Sequence, residues 1–205
     1  MLEHASRIAE RREALRTKLA AIIAPGSRFV WEVGCGHGHF LAAYAHAHPG
    51  ECCVGVDVAS DRIARANRKR ERASLGNLHF VRAGADDFLA VMPKDALFTS
   101  IFILFPDPWP KRRHSDKRVM KPEFLAAAAA AAAKGARLYF RTDHQPYFEQ
   151  ASAAIRAHAD WEESDPSAWP FEEPTVFQKL AERYFSLVAT RRSATRSPCT
   201  GTPLS

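Results

Sequence analysis

Cysteine is scarce in this chain, and its few occurrences match neither a metal site nor a disulfide framework. The 205 residues include four cysteines, at Cys35, Cys52, Cys53 and Cys199. No CxxC pair and no Cys/His spacing typical of a zinc site occurs among them. The N-terminal residues are charged and follow a helical pattern rather than that of a signal peptide, so a disulfide-rich secreted protein is not indicated. We predict no metal site.

Long apolar runs are also missing. No stretch approaches the roughly 18 apolar residues of a membrane-spanning helix, so we predict a cytoplasmic protein with no membrane partner. Hydrophobic residues make up 46% and charged residues 25% of the chain, which is typical of an ordinary globular protein. We predict a single domain over residues 1–192 that begins with a basic helix at about 5–23, followed by a disordered tail over 193–205.

Positive charge is in excess. The net charge of +6 favours a polyanionic partner, and where the cations cluster decides the interpretation. The basic N-terminal helix fits a solvated face or an RNA-facing arm equally well. Six cations between Arg62 and Arg72 are interpreted as a solvated helix exterior. A third cluster is predicted to contact RNA phosphates and comprises Lys111, Arg112, Arg113, Lys117, Arg118 and Lys121.

Apolar strand patterns alternate with helical patterns along the chain. We predict strands over Phe29–Val33, Cys52–Asp57, Leu78–Arg82, Leu97–Phe105, Ala136–Thr142 and Phe185–Thr190. We predict helices over about 39–48, 60–75, 86–91, 121–133 (with an alanine run at 126–133) and 146–158. The stretch Trp161–Pro174, rich in proline, acids and tryptophan, is predicted to be irregular. Such alternation is typical of a doubly wound α/β fold, a mostly parallel sheet with helices on both faces.

A glycine-rich turn follows the first predicted strand. Gly34, Gly36 and Gly38 permit a tight turn at the start of a helix, and Asp57 follows 19 residues later at the end of the next strand, where it can accept hydrogen bonds from a ribose. The pattern fits NAD or S-adenosylmethionine. The GxGxG spacing differs from the GxGxxG of dinucleotide binders. Glu32 would repel a pyrophosphate but can hold the cationic methionine end of S-adenosylmethionine, so we favour the latter cofactor.

A carboxylate bracketed by prolines follows the fourth predicted strand. In Phe105-Pro106-Asp107-Pro108-Trp109-Pro110 the prolines restrict the backbone on both sides of Asp107. The acid is therefore held on a stiff loop beyond a strand's carboxyl end, where ligands bind in open α/β sheets.

Four segments together resemble the bacterial tRNA (guanine-N7)-methyltransferases. They are EVGCGHG (32–38), FPDPWPKRRH (105–114), TDHQPYFE (142–149) and TVFQ (175–178). The resemblance spans residues 29–191 and implies a class I methyltransferase fold with a seven-stranded, mostly parallel sheet whose last strand is antiparallel. It also implies methyl transfer from S-adenosylmethionine to guanine N7 in the tRNA variable loop. We predict a monomer or a homodimer.

The resemblance assigns roles residue by residue. It implies Asp107 as the active-centre acid, with the cofactor held by Glu32, Gly34, Gly36, Gly38, Asp57, Ala85 and Asp86, and the tRNA substrate by Lys111, Arg113, Asp143, Thr175 and Gln178. Two positions depart from the family pattern. Gln178 stands where the family has glutamate, and Gly84-Ala85 stands where an acid or amide followed by alanine is usual. Asp86 can substitute for that acid if the loop shifts.

The chemistry of guanine N7 limits what the protein must supply. N7 carries an in-plane lone pair, so no general base is needed, and we predict that Asp107 orients guanine and stabilises its developing positive charge. Two alternatives stay open, a methyltransferase acting on an exocyclic amine and a non-catalytic RNA-binding relative. No catalytic Tyr/Lys or His constellation supports an NAD oxidoreductase.

Overall fold

A computed structural model describes residues 2–110, 116–174, 178 and 181–193, with side chains from residue 6 onward. The strands are β1 Arg28–Val33, β2 Cys52–Asp57, β3 Leu78–Arg82, β4 Leu97–Leu104, β5 Ala132–Thr142, β6 Trp161–Ser164 and β7 Phe185–Arg191. The helices are α1 Leu2–Ala20, α2 His39–Ala47, α3 Ser60–Arg72, α4 Ala85–Val91, α5 Pro122–Ala131 and α6 Gln145–Ala157, and Pro166–Ala168 forms a 3₁₀ turn.

The strands form one sheet in the order β3-β2-β1-β4-β5-β7-β6. Neighbours from β3 to β5 pair in parallel, whereas β7 is antiparallel to both β5 and β6. The predicted doubly wound, seven-stranded sheet with an antiparallel last strand is therefore confirmed. The strand order reverses between β1 and β4, and this switch point is where open α/β sheets bind ligands.

Each face of the sheet is covered by helices because side chains alternate along every strand. On one face, α1, α4, α5 and α6 pack on a core that includes Trp31, which stacks on Phe88 with ring centroids 4.7 Å apart. On the other face, α2 and α3 pack on a core that includes Phe80 and Phe102. No helix in the described part of the chain is long and apolar enough to span a membrane.

The prediction that Trp161–Pro174 is irregular was wrong at its start. Trp161–Ser164 forms the short edge strand β6, which pairs with β7. The strand forms because Trp161 is fully buried and its indole N–H donates to the carbonyl of Leu125 at 3.0 Å. Glutamates at the next two positions are exposed and give no apolar alternation. One buried anchor and an available neighbour therefore specify this strand.

Three helix ends also differ from the prediction. Helix α3 ends at Arg72 rather than at about residue 75, and Ser74 just beyond it has a left-handed φ of 51°. The alanine run does not stay helical to Ala133, because α5 ends at Ala131 and Ala132 already pairs with Phe98 of β4. Alanine fits either state, so pairing with the sheet decides the boundary. Helix α1 ends at Ala20 rather than residue 23, because two successive amides, from Ile22 and Ile23, both donate to the Leu19 carbonyl and close a turn.

Candidate functional site

A cavity of about 790 Å³ opens at the carboxyl ends of β1 to β4, at the switch point of the sheet. Segments that follow each of these strands line it, including the glycine turn after β1 and the proline-rich loop after β4. The fold therefore brings the glycine turn and Asp107 to the lining of one cavity. Of the predicted cofactor and active-centre residues, those that line it are Glu32, Gly34, Gly36, Asp57, Ala85, Asp86 and Asp107.

The glycine turn forms an open cradle on the wall of this cavity. Gly34 and Gly36 have φ angles of 72° and 54°, which favour glycine, and a Cβ on either would project into empty space. Gly38 differs from these two because a Cβ there would lie 2.4 Å from Cζ of Phe80. It does not line the cavity, and its role is to let α2 approach β3.

Asp57 fastens the glycine turn to the start of α3. Its carboxylate accepts hydrogen bonds from the Gly36 amide at 3.1 Å and the Ala59 amide at 2.8 Å. A guanidinium nitrogen of Arg62 lies 3.6 Å away. Each carboxylate oxygen has two acceptor positions, so Asp57 keeps acceptor capacity towards the cavity, as a ribose hydroxyl requires.

Glu32 is the most perturbed acid of the site. The residue is only 3% exposed, and burial, with a smaller contribution from Asp57, raises the pKa of its carboxyl to about 8. The Leu41 amide in the first turn of α2 donates a hydrogen bond that partly offsets this rise. The other oxygen, Oε2, has no hydrogen-bond partner among the described residues. A buried carboxylate oxygen without a partner suits a cationic donor, such as the ammonium group of a methionine moiety.

The loop that carries Asp107 has a strained backbone. Phe105 and Trp109 have φ angles of 49° and 42°, a region that non-glycine residues adopt at a cost. The Phe105 amide donates to the Arg141 carbonyl at 2.8 Å and holds the loop against the end of β5. Asp107 itself is exposed and lines the cavity. Strain of this kind at a cavity wall is typical of a functional loop.

Arg118 holds this loop, and its predicted role as a phosphate contact is corrected by its surroundings. The residue is buried, and its guanidinium donates to the Pro108 carbonyl at 2.7 Å and to the side chain of Gln150. It also lies over the ring of Tyr147, 4.9 Å from the centroid. With these donors occupied, Arg118 positions the proline-rich loop. Its place in a basic run gave no signal of this.

Helix α1 supplies a wall that the sequence did not predict. Ile8, Arg11 and Arg12 line the cavity. Asp87 on α4 pairs with both arginines, at 2.6 Å to Arg11 and 2.8 Å to Arg12. The buried side chain of Leu15 joins the core below. Helix α1 is therefore basic and also forms part of the cavity wall.

Two of the five predicted substrate residues, Asp143 and Gln178, lie within the described part of the chain. Asp143 is exposed and directly follows β5, outside the residues that line the cavity. Gln178 accepts a hydrogen bond from the buried Arg141 at 3.3 Å and donates one to the Tyr184 hydroxyl at 3.1 Å. Lys111, Arg113 and Thr175 lie outside the described residues.

Gln178 lies beside an ion pair between Arg141 and Glu172 that the sequence did not reveal. Both carboxylate oxygens of Glu172 accept from Arg141, at 2.8 and 2.5 Å. The guanidinium also lies 3.7 Å from the ring centroid of Trp169. The segment before TVFQ is thereby clamped to the end of β5, next to the loop that carries Asp107.

Comparisons with known proteins agree with this arrangement. Residues 27–192 match the family model described as "Putative methyltransferase". A tRNA (guanine-N(7)-)-methyltransferase of Caulobacter vibrioides is 33% identical over 71% of this chain and 65% of its own length. Those of Magnetococcus marinus and Streptomyces coelicolor are each 34% identical over 72% of this chain, and 58% and 55% of their own lengths. The chain thus spans 55–65% of the length of these relatives.

Solved structures show the same fold at low sequence identity. The 16S rRNA methyltransferase KamB superposes with a TM-score of 0.59 at 20% identity, covering 86% of this chain and 92% of its own. Precorrin-6y C5,15-methyltransferase from Geobacter metallireducens has a TM-score of 0.57 at 12% identity, covering 88% of both chains.

The sheet order, the glycine cradle and a cavity at the switch point define a class I methyltransferase fold. Within that class, the match over residues 27–192 and the identity of about one third to curated relatives are decisive. The chain belongs to the family of the tRNA (guanine-N(7)-)-methyltransferases.

Proposed function

We propose that this protein transfers a methyl group from S-adenosylmethionine to N7 of a guanine in the variable loop of tRNA. The observation that carries the proposal is a single cavity lined by Asp107 and by the buried Glu32, whose Oε2 has no hydrogen-bond partner among the described residues. The names of the relatives supply the target atom and the RNA class. Since the chain spans only part of their length, we assign the activity from this chain's own residues.

The residues at the glycine turn fit the cofactor. The unpartnered oxygen of Glu32 can accept from the amino group of the methionine end, and the cradle at Gly34 and Gly36 leaves room beside it. Asp57 can accept from the ribose. Ala85 and Asp86, in the first turn of α4, are the residues that would meet the adenine. When bound, S-adenosylmethionine supplies an electrophilic methyl group on a sulfonium.

Asp107 would meet the guanine base. A carboxylate accepts hydrogen bonds from the N1–H and N2–H edge of guanine, and it stabilises the positive charge that the base gains as N7 is alkylated. No proton has to be removed, so the role is orientation and electrostatic stabilisation. Lys111, Arg113, Asp143, Thr175 and Gln178 complete the proposed substrate site.

The test is incubation of the full chain with methyl-labelled S-adenosylmethionine and total tRNA, followed by nucleoside analysis and mapping of the labelled position. We expect 7-methylguanosine in the variable loop. Label on an exocyclic amine would contradict the proposal in favour of the other methyltransferase activity. Absence of label together with no cofactor binding at millimolar concentration would identify a non-catalytic relative.

A further inference from the structure

A row of cations leads away from the cavity along α3. Arg62 lines the cavity, and Arg65, Lys69 and Arg72 follow it at intervals of three or four residues. Such positions lie on one face of a helix, about 5–6 Å apart. The ten residue steps from Arg62 to Arg72 span about 15 Å of helix, which matches several nucleotides at about 3.4 Å each along a strand.

Arg62, at the start of this row, pairs with Asp57 at 3.6 Å, whereas the cations beyond it are not neutralised by an ion pair among the described residues. Arg65, Arg68 and Arg72 form no ion pair with any described residue, and Glu71, the acid at the end of α3, pairs with Arg70 instead at 3.4 Å. Like charges at these intervals destabilise a helix by a few tenths of a kcal/mol per pair. An anion bound along this face would relieve that repulsion.

The cations beyond Arg62 also line a groove that is connected to the glycine turn of the main cavity. Arg65, Arg68, Lys69, Arg72 and Ala73 line a shallow groove of about 480 Å³. The ammonium of Lys69 donates to the carbonyl of His37 in the glycine turn at 3.2 Å. The groove therefore continues from the turn that lines the main cavity to the outer surface.

We propose that the α3 groove, formed by Arg65, Arg68, Lys69 and Arg72, binds the phosphodiester backbone of the substrate tRNA on its way to the active cavity. The proposal rests on the proposed function for the identity of the RNA. Arginine favours phosphate because its planar fork donates two parallel hydrogen bonds. Contacts to phosphates position an RNA without reading its sequence, so the groove adds affinity and register, while the Asp107 loop selects the base.

The test compares two double variants of the full chain. Arg65→Gln/Arg72→Gln removes two charges from the groove and leaves Lys69, which supports the glycine turn. Lys94→Gln/Lys134→Gln is the matched control, because it removes two exposed charges at the amino ends of β4 and β5, the opposite edge of the sheet from the cavity. Binding of a fluorescein-labelled, unmodified tRNA transcript is measured by anisotropy between 50 and 200 mM salt.

We expect the groove variant to bind the transcript on the order of tenfold more weakly, with the slope of log affinity against log salt reduced by about two. Its affinity for S-adenosylmethionine and its melting temperature should match those of the wild type, and the control variant should keep the wild-type slope.

An equal loss of tRNA affinity in the control variant would assign the effect to net charge and overturn the proposal. If the wild type methylates tRNA and the groove variant keeps the wild-type affinity and salt slope, the proposed role of the groove is contradicted, but the proposed function is not. A wild type that fails to bind the transcript would overturn the proposed function as well.

Discussion

At the residue scale, Glu32 shows how the site is maintained at a cost in stability. A carboxylate that is buried without a full set of partners is expensive to ionise. The folded protein therefore holds Glu32 protonated up to a pKa of about 8, against 4.5 for an ordinary glutamate. A cationic ligand reverses this preference, because its charge and its donors compensate the carboxylate. Binding of the cofactor should then expel a proton at neutral pH.

Glu32→Gln tests this account through stability as well as binding. Because the folded pKa is raised, the folded state binds more protons than the unfolded state, and stability is lost as pH rises from about 4.5 towards 8. The glutamine variant should therefore be more stable than the wild type at pH 9, by up to about 5 kcal/mol at about 1.4 kcal/mol per pKa unit, and nearly equal to it at pH 5.

Urea denaturation at the two pH values measures this difference, and calorimetry in buffers of different ionisation enthalpy measures the proton release. The variant should bind S-adenosylmethionine much more weakly and without the release of a proton at pH 7. Glu162→Gln, on the exposed edge strand, serves as a control and should change neither quantity. Unaltered cofactor binding in Glu32→Gln would remove Glu32 from the cofactor site.

Asp107→Ala separates the guanine site from the cofactor site. We expect kcat to fall by about 10²- to 10³-fold, the usual cost of losing one preorganised electrostatic group, while affinity for S-adenosylmethionine stays within several-fold. Asp107→Asn keeps an acceptor but removes the charge, so it reports how much of the effect is orientation. An equally large loss of cofactor affinity, measured by calorimetry, would contradict this division of roles.

The sequence could place these two acids but not their environments. Glu32 and Asp107 lie next to strand ends, and the switch point brings strand ends together. The raised pKa of Glu32 depends on its burial in the folded protein, and the position of Phe105 depends on a hydrogen bond to the distant Arg141. Neither contact leaves a pattern in the local sequence.

At the scale of elements, Arg141 at the end of β5 holds four side chains that follow β6 in the chain, those of Trp169, Glu172, Gln178 and Tyr184. The guanidinium is buried between the rings of Trp169 and Tyr184, and Glu172 pairs with it. Gln178, which stands where the family pattern has glutamate, accepts a hydrogen bond from Arg141 at 3.3 Å but carries no charge. Glu172 therefore supplies the negative charge that position 178 lacks.

Moving the carboxylate from position 172 to position 178 tests whether Glu172 compensates for the missing charge of Gln178. Glu172→Gln should cost about 1–2 kcal/mol at pH 7, since it leaves a buried guanidinium without a counter-ion although Glu172 itself is half exposed. Adding Gln178→Glu to that variant should recover most of the loss, because the new carboxylate lies within reach of the same guanidinium. The pKa of Glu172 is lowered by Arg141, so the difference should be complete at pH 7 and should shrink as the pH falls through the lowered pKa of this carboxyl. Urea denaturation at pH 7 and pH 3 measures both effects, and a double variant no more stable than Glu172→Gln would contradict the exchange.

The positions of elements with a strong apolar pattern could be predicted from the sequence. Elements that depend on one long-range contact could not be predicted. Strands β1 to β4 are rich in apolar residues and lie within one residue of their predicted ends. Strand β6 exists because Trp161 inserts against α5, and the role of Arg118 follows from carbonyls ten residues away. Such elements are specified by their partners in the fold, which a window of sequence does not contain.

At the scale of the whole molecule, alternation of strands and helices gave the α/β class, but alternation alone does not give strand order. The antiparallel β7 inserted between β5 and β6 was expected only from the resemblance to a family. The position of α1 was open between a solvated face and an RNA arm. Its buried side chains and its ion pairs with Asp87 place it beside the cavity, so the first helix helps to form a site built by the central strands.

Asp87→Asn tests whether α1 contributes to cofactor binding in this way. Both ion pairs are partly exposed, so the free energy of unfolding should fall by less than about 1 kcal/mol. The affinity for S-adenosylmethionine should nevertheless fall several-fold, because Ile8, Arg11 and Arg12 would no longer be held against the cavity. Arg11→Gln/Arg12→Gln should have the same effect, and the triple variant should be little weaker than either, as expected for groups that act through one contact. Glu13→Gln, which breaks the Glu13–Arg16 pair on the same helix, is the control and should bind normally. Full cofactor affinity in Asp87→Asn would show that α1 lies beside the site without supporting it.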